Sequence, residues 1–411
     1  MFRNIVITFF TRFFIAFSNL IIAVLLSNYL GASGRGEQSL IITSVSLIIV
    51  ITSLIGTSSI SYFLPRHPFS LLIIPSYIWV FITILVCFAV LPFFGMVPGQ
   101  YTTDVCILSL LLSITNINVT VLIGHQKINA ANILNFIQSF VTILVLVVCF
   151  VLFRDIRVEA YLNSLYAGYG AALAASFFFL APYFTGFQRQ PLAAWKNALK
   201  NLVTFGFYNQ VAAFIQILNL RLSYYILDSY FGKDDVGIYS NAVSIAESIW
   251  LISRSIATVQ HSRIVNSSDN TWSLSLTSRL NLYNFALSLA LLVILVCIPG
   301  SWYQFLFGEE FRDINRIIWT LSPGIIFFGI FLILGYYFSS TGRPHVNTIA
   351  NLAGIVITLV MGFTLIPSNG TYGAGITASL SYGAMALVVA VYYFLEKRKK
   401  VFTASSPVPR P

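Results

Sequence analysis

Four charged side chains stand inside long apolar stretches: Arg12, Arg221, Glu247 and Arg254. A charge near the middle of a bilayer costs about 2.5–3.5 kcal/mol or more, so such groups face a water-filled cavity or a partner. The planar guanidinium of arginine pairs with two phosphate oxygens at once. Arg12 shares a helical face with Thr8, Ala16, Asn19 and Ala23. It suits either a pyrophosphate contact or a snorkelling residue that reaches cytoplasmic headgroups. Arg221 shares a face with Gln210, Tyr224 and Asp228, which permits a substrate contact or an internal Arg221–Asp228 pair. Glu247 suits a coupling carboxylate for H+ or Na+, since a desolvated acid can exchange protons. It equally suits a counter-ion to Arg12, Arg221 or Arg254. Arg254, two turns nearer the cytoplasm, either meets phosphate in an inward-open state or marks the membrane edge.

Hydroxyls add a second pattern. Ser39, Thr43, Ser46, Ser53, Thr57 and Ser61 recur at helical spacing and predict one polar, cavity-lining stripe. Moved on by 201 residues, the same positions read Ser240, Ser244, Glu247, Arg254, Thr258 and Ser262, all polar. The amides Asn116, Asn118, Asn129, Asn132, Asn135 and Gln138 cluster on two further helices. Part of that set is expected to hydrogen-bond between helices, as amides do in lipid.

The elements that position these groups are membrane helices. Only 9% of the 411 residues are charged and 57% are hydrophobic, with mean hydropathy +0.85; soluble domains carry roughly 25% charge. Continuous apolar runs of about 20 residues favour helices over a barrel. They fall near 4–29, 38–63, 71–95, 102–124, 129–153, 161–184, 202–228, 237–260, 280–300, 315–340, 346–366 and 372–395. Most of the 23 lysines and arginines fall in the segments that are cytoplasmic if the N-terminus is, and most acids fall in the others. That is a positive-inside pattern with both termini cytoplasmic. The net charge of +10 therefore needs no nucleic-acid partner, and membrane lipids are the expected contact of Lys397, Arg398, Lys399 and Lys400. Cys87, Cys106, Cys149 and Cys297 read as packing residues, so no metal site and no cofactor are expected.

The chain also repeats itself. Tyr29, Gly31, Gly36 and Ser39 recur at Tyr230, Gly232, Gly237 and Ser240. Gly124 and Asn129 match Gly342 and Asn347 at a shift of 218, and the Tyr169–Ser176 segment matches Tyr372–Ser379 at 203. A repeat of six helices keeps both halves in one orientation, with substrate near mid-membrane and alternating access by rocking. The expected fold is an all-α integral membrane protein of about 12 transmembrane helices, two six-helix parallel-repeat bundles around a central cavity. The expected divisions are an N-terminal bundle 1–187, a cytoplasmic linker 188–201, a C-terminal bundle 202–396 and a basic tail 397–411.

Asn19 and the Tyr29–Gly36 turn, with Tyr230–Gly232 and Gly342–Pro344, resemble the polysaccharide transporter family. These are Wzx-type oligosaccharide flippases of the multidrug/oligosaccharidyl-lipid/polysaccharide superfamily. The resemblance implies a multi-pass protein of the bacterial inner membrane that moves an undecaprenyl-pyrophosphate-linked repeat unit for O-antigen, capsule or exopolysaccharide synthesis. Its substrate would be a lipid-linked oligosaccharide, with a polysaccharide polymerase and a chain-length regulator as partners. A drug or cation antiporter of the same superfamily is the nearest competitor, but it would favour an acidic cavity. A membrane glycan polymerase or glycosyltransferase needs catalytic groups on a long outer loop. The longest here, around 300–314, carries only Glu309, Glu310, Arg312 and Asp313, and no HExxH, P-loop or Gly-x-Ser-x-Gly motif occurs. The chain therefore reads as a non-enzyme.

Overall fold

The computed structural model describes residues 2–64, 67–95, 97, 99–184, 190–267 and 269–405. Among them the regular elements are all helical. The helices are α1 (Phe2–Thr52), α2 (Thr57–Phe63), α3 (Phe69–Phe94), α4 (Thr102–Gly124), α5 (Ile128–Val147), α6 (Val158–Phe184) and α7 (Leu192–Phe231). They continue with α8 (Lys233–Glu247), α9 (Trp250–Val265), α10 (Asn270–Cys297), α11 (Gly300–Phe307), α12 (Ile314–Ser340) and α13 (His345–Ser405). The chain is a multi-pass membrane protein. Among the described residues eight helices are long and apolar enough to cross a bilayer, or nine with the bent pair α8–α9 counted as one span.

All twelve expected spans fall on helix, and four of them lie in just two long segments. Phe10–Phe63 and His345–Arg398 each run 54 residues, far more than the ~20 one crossing needs. Gly31 (φ 68°, ψ −169°) and Gly370 (φ 54°, ψ −132°) break them. The expected seventh span, α7, is not among the apolar set. Asn219, Arg221 and Asp228 lie along it.

The chain divides into two compact units, Met1–Phe214 and Ile215–Pro411. The sequence placed a linker at 188–201 instead. Residues 185–189 lie outside the described residues, and from Leu192 the chain is already helix. Pro191 precedes a run of Ala, Leu, Trp and Lys with no glycine or proline, which is good helix-forming sequence. The basic tail likewise starts as helix, because α13 continues to Ser405, and 406–411 lie outside the described residues. Three of the basic residues of the positive-inside pattern, at 66, 189 and 410, also fall outside them.

Each unit has its own apolar core. In the first, Leu26, Ile41, Val105, Leu108, Leu146 and Phe150 meet in one cluster, and Ile60, Leu72, Val80, Leu134 and Leu202 in another. In the second, Trp250 is 1% exposed and stacks within 4.2 Å of Phe328.

Backbone geometry repeats between the units. Gly232 (φ 82°, ψ −175°) adopts the conformation of Gly31, in a region essentially restricted to glycine. The α4 and α12 ends are closed alike. Lys127 N donates to Leu122 O and Arg343 N to Phe338 O, both at 2.8 Å, around positive-φ residues Gln126 and Gly342. These caps correspond at a shift of 216, two less than the sequence match of Gly124 with Gly342 indicated. Ser176 and Ser379, matched at 203, each bond back to an earlier helix of their own unit, Ser176 accepting from Asn118 on α4 and Ser379 donating to Thr320 O on α12.

Candidate functional site

In the second unit α7 brings Arg221 against Glu247, the last residue of α8. Nη1 donates to Oε1 at 2.7 Å and Nη2 to Oε2 at 2.8 Å, a bidentate fork. Glu247, not Asp228, is therefore the carboxylate partner of Arg221. Nη1 also donates to Leu220 O at 3.2 Å, and the guanidinium lies 5.4 Å from the Tyr224 ring centre. The Tyr224 ring meets Tyr239 edge-on at 5.6 Å, and the Tyr239 hydroxyl donates to Ala374 O at 3.3 Å. Trp250 and Phe328 pack against Tyr382 at 5.7 and 5.2 Å, and the Trp250 indole donates to Ile325 O. The pair keeps an open side. The side chains of Arg221 and Glu247 retain 26% and 15% of their accessible surface.

Glu247 ends α8 because the chain bends there. Ser248 and Ile249 join α8 to α9 at an angle of 41°. Ser248 turns its hydroxyl back to Ile245 O at 2.6 Å, the kind of local bond that competes with a regular helix. Arg254 lies beyond the bend, exposed on α9, and is not part of the pair.

In the first unit Arg12 and Asn19 are exposed on α1, while Thr11 and Ser18 on the same turns face the interior. Among the described residues no carboxylate pairs with Arg12. Thr8, on the face of Arg12, accepts from Asn132 Nδ2 at 2.8 Å, and Ala23 is buried, so that face turns inward at both ends.

The hydroxyl stripe is less uniform than its spacing suggests. Ser39, Thr43 and Ser240 are buried, and Ser39 and Ser240 donate to Arg35 O and Gly237 O. Ser46 and Ser244 bond to backbone carbonyls one turn back, Ile42 O and Ser240 O. Ser53 opens a 3-10 turn that ends at Gly56, so Thr57 starts a new helix and leaves the line of α1. Ser46, Ser53 and Thr57 are half-buried, and Ser61, Ser244, Thr258 and Ser262 are exposed.

Two of the amides, Asn118 and Asn132, bond between helices. Asn118 accepts from the Tyr77 hydroxyl and donates to Ser176 Oγ at 2.8 Å, wholly buried. Arg35 is 7% exposed and bonds to Gln38, which donates to the Tyr161 hydroxyl at 3.1 Å. Two features were missed in the sequence. The aromatic wall of Tyr239, Trp250 and Tyr382 is hidden among 15% aromatics. The Arg343–Glu396 pair, 2.5 Å with the Tyr337 hydroxyl on the same carboxylate, was signalled only by an acid beside the basic tail. No three His, Cys, Asp or Glu side chains converge on a metal position among the described residues.

No protein-family profile matches the chain. Along 95% of its length it superposes on an inward-facing multidrug resistance MATE family transporter of the MOP superfamily, with TM-score 0.76 and 14% identity over 96% of that protein. The lipid II flippase MurJ in an inward closed conformation gives TM-score 0.74 and 13% identity, over 96% of this chain and 89% of MurJ. The chain shares the fold of these two proteins. A capsular polysaccharide biosynthesis protein, CapF of Staphylococcus aureus, is 24% identical over 183 residues, 44% of this chain and 46% of CapF. An undecaprenyl-diphosphatase of Clavibacter michiganensis is 29% identical over 133 residues, 32% of this chain and 48% of that enzyme. The chain thus spans about half the length of the curated relatives it matches.

The fork of Arg221 and Glu247 thus places a partly exposed charged pair within the second unit. Its guanidinium uses three of its five N–H groups on Glu247 and Leu220 O, and its side chain keeps 26% of its accessible surface.

Proposed function

We propose that the chain is a flippase that moves a lipid-linked oligosaccharide, joined to its polyprenyl carrier through pyrophosphate, across the bacterial cytoplasmic membrane by alternating access. The observation that carries this reading is Arg221, positioned by the bidentate bonds of Glu247 yet open to a ligand. Glu247 acts here as a counter-ion that keeps the guanidinium in place during the empty cycle. Pyrophosphate oxygens then compete for the same donors, since charge-assisted Arg–phosphate bonds are as strong as Arg–carboxylate ones. The likeness to CapF supports a surface polysaccharide as the pathway, and MurJ, a lipid II flippase, supports the lipid-linked substrate class. Within the second unit Ser244 and Arg254 would add polar contacts, and the first unit, taken by itself, offers Arg12, Asn19, Ser46, Ser53 and Thr57 to the same class of ligand.

A multidrug or cation antiporter is the second reading. The MATE likeness favours it, as does the aromatic wall beside Glu247, because aromatic faces attract cations. The two readings separate in proteoliposomes loaded with a fluorescent polyprenyl-pyrophosphate oligosaccharide. The flippase reading expects protein-dependent translocation that Arg221→Ala abolishes. Ion-driven ethidium transport without any lipid translocation would replace it with the antiporter.

A further inference from the structure

Away from the Arg221–Glu247 fork, α9, α10 and α12 enclose a group of polar atoms that the proposed transport reaction does not use. Ser253, Asn284 and Ser288 are 0%, 1% and 1% exposed. Four of their atoms lack any hydrogen-bond partner: both Ser hydroxyl oxygens, and Nδ2 and Oδ1 of Asn284. They converge on the face of Gly329. The point where a Cβ on Gly329 would stand is 3.1 Å from Asn284 Nδ2, 3.2 Å from Ser253 Oγ and 4.0 Å from Ser288 Oγ. Two helices, α9 and α10, thus aim polar atoms at one small space that a glycine on α12 leaves open.

The pattern extends along the seam. Thr277, Asn281, Asn284 and Ser288 lie on one face of α10, and Ser253 and Gln260 lie two turns apart on α9. Gln260 Nε2 donates to Thr277 Oγ1 at 3.0 Å and to Ile333 O at 3.2 Å, yet its Oε1 is unpartnered, as is Asn281 Oδ1. From Thr277 to Ser288 the face rises about 16 Å, roughly half the hydrocarbon thickness.

We propose that this space is an ordered-water site, with Ser253, Asn284 and Ser288 as its ligands and Gly329 as the residue that makes room. Buried polar groups are satisfied by protein or by water, and a buried water typically makes about three hydrogen bonds. Asn284 discriminates among ligands. It presents an unmet donor as well as an unmet acceptor, and water meets both. A cation meets the oxygens only and is opposed by the amide N–H2, with no carboxylate within the group to balance its charge. Water then ties α9 to α10 and α12 where direct side-chain bonds are missing.

The test uses the purified full-length protein in lipid nanodiscs. A high-resolution map should show density beside Gly329 at about 2.7–3.2 Å from Asn284 and Ser253. Gly329→Ala puts a methyl group at that point, and its clashes are slight enough for the side chains to yield. It should lower Tm by about 2–4 °C, and should no longer do so in an Asn284→Leu background, where there is no polar group to strand. An empty map with Tm unchanged or raised by Gly329→Ala would overturn the proposal, because the space would then be dry. A Na+-specific rise in Tm that Ser253→Ala removes would overturn it in favour of a cation.

Discussion

Arg221 and Glu247, 26 residues apart, meet through two parallel hydrogen bonds of 2.7 and 2.8 Å across the α7–α8 contact. Removing one partner of a fully buried pair costs about 3–5 kcal/mol, because the other charge is stranded. A quarter of the Arg221 side chain is open, so Glu247→Gln should cost less, roughly 1–3 kcal/mol, read as a fall in Tm of the purified protein. The swapped variant Arg221→Glu with Glu247→Arg should recover most of that stability. It should not recover polysaccharide export if phosphate is met from the α7 side. Full export by the swap would mean that the pair is purely structural.

Arg12 makes the complementary case, since it is exposed and has no carboxylate partner among the described residues. Arg12→Ala should therefore leave Tm nearly unchanged, within about 0.5 kcal/mol as at other exposed sites. Export of surface polysaccharide should fall several-fold at normal protein level, with Arg12→Lys intermediate because lysine keeps the charge and loses the fork. Undiminished export by Arg12→Ala would assign Arg12 to headgroup anchoring.

The sequence displays what depends on local pattern. Gly31 and Gly232 could be matched because only glycine takes their backbone conformation, so the fold leaves its mark on residue type. The α4 and α12 caps were matched two residues out of register because Gln126 fills the positive-φ place that Gly342 fills in the second unit. The choice of Glu247 over Asp228 as partner of Arg221 turns on how α8 packs against α7, and helical spacing within α7 carries no trace of it. The hydroxyl stripe misled for a related reason. Spacing places Ser39 and Ser46 on one face, but only packing reveals that the first is buried and the second half-exposed.

Gly232 gives a backbone prediction free of packing effects, because a Cβ there would meet nothing within 4 Å. Its φ of 82° with ψ of −175° lies where even asparagine is disfavoured. Gly232→Ala and Gly232→Asn should thus both cost about 1–3 kcal/mol, seen as comparable losses of Tm. Rescue by asparagine alone would show that the α7–α8 turn relaxes into the ordinary left-handed region.

His125, in the turn between α4 and α5, supplies the pH dependence. Its ring stacks on Tyr183 at 4.2 Å, its Nε2 is buried without a partner, and Lys127 lies two residues on. Desolvation first, and the Lys127 charge second, push its pKa below 6.5. The folded protein therefore resists a proton that the unfolded chain accepts. Its contribution to stability is intact above pH 6.5 and is lost as pH falls from there through the lower folded-state pKa. Below that value both states are protonated and the loss levels off. Tm measured from pH 7.5 downward should decline in this window for the native protein. His125→Phe keeps an aromatic ring against Tyr183 and removes the titration, so its decline should be shallower. Equal slopes for the two proteins would show that the acid sensitivity arises elsewhere.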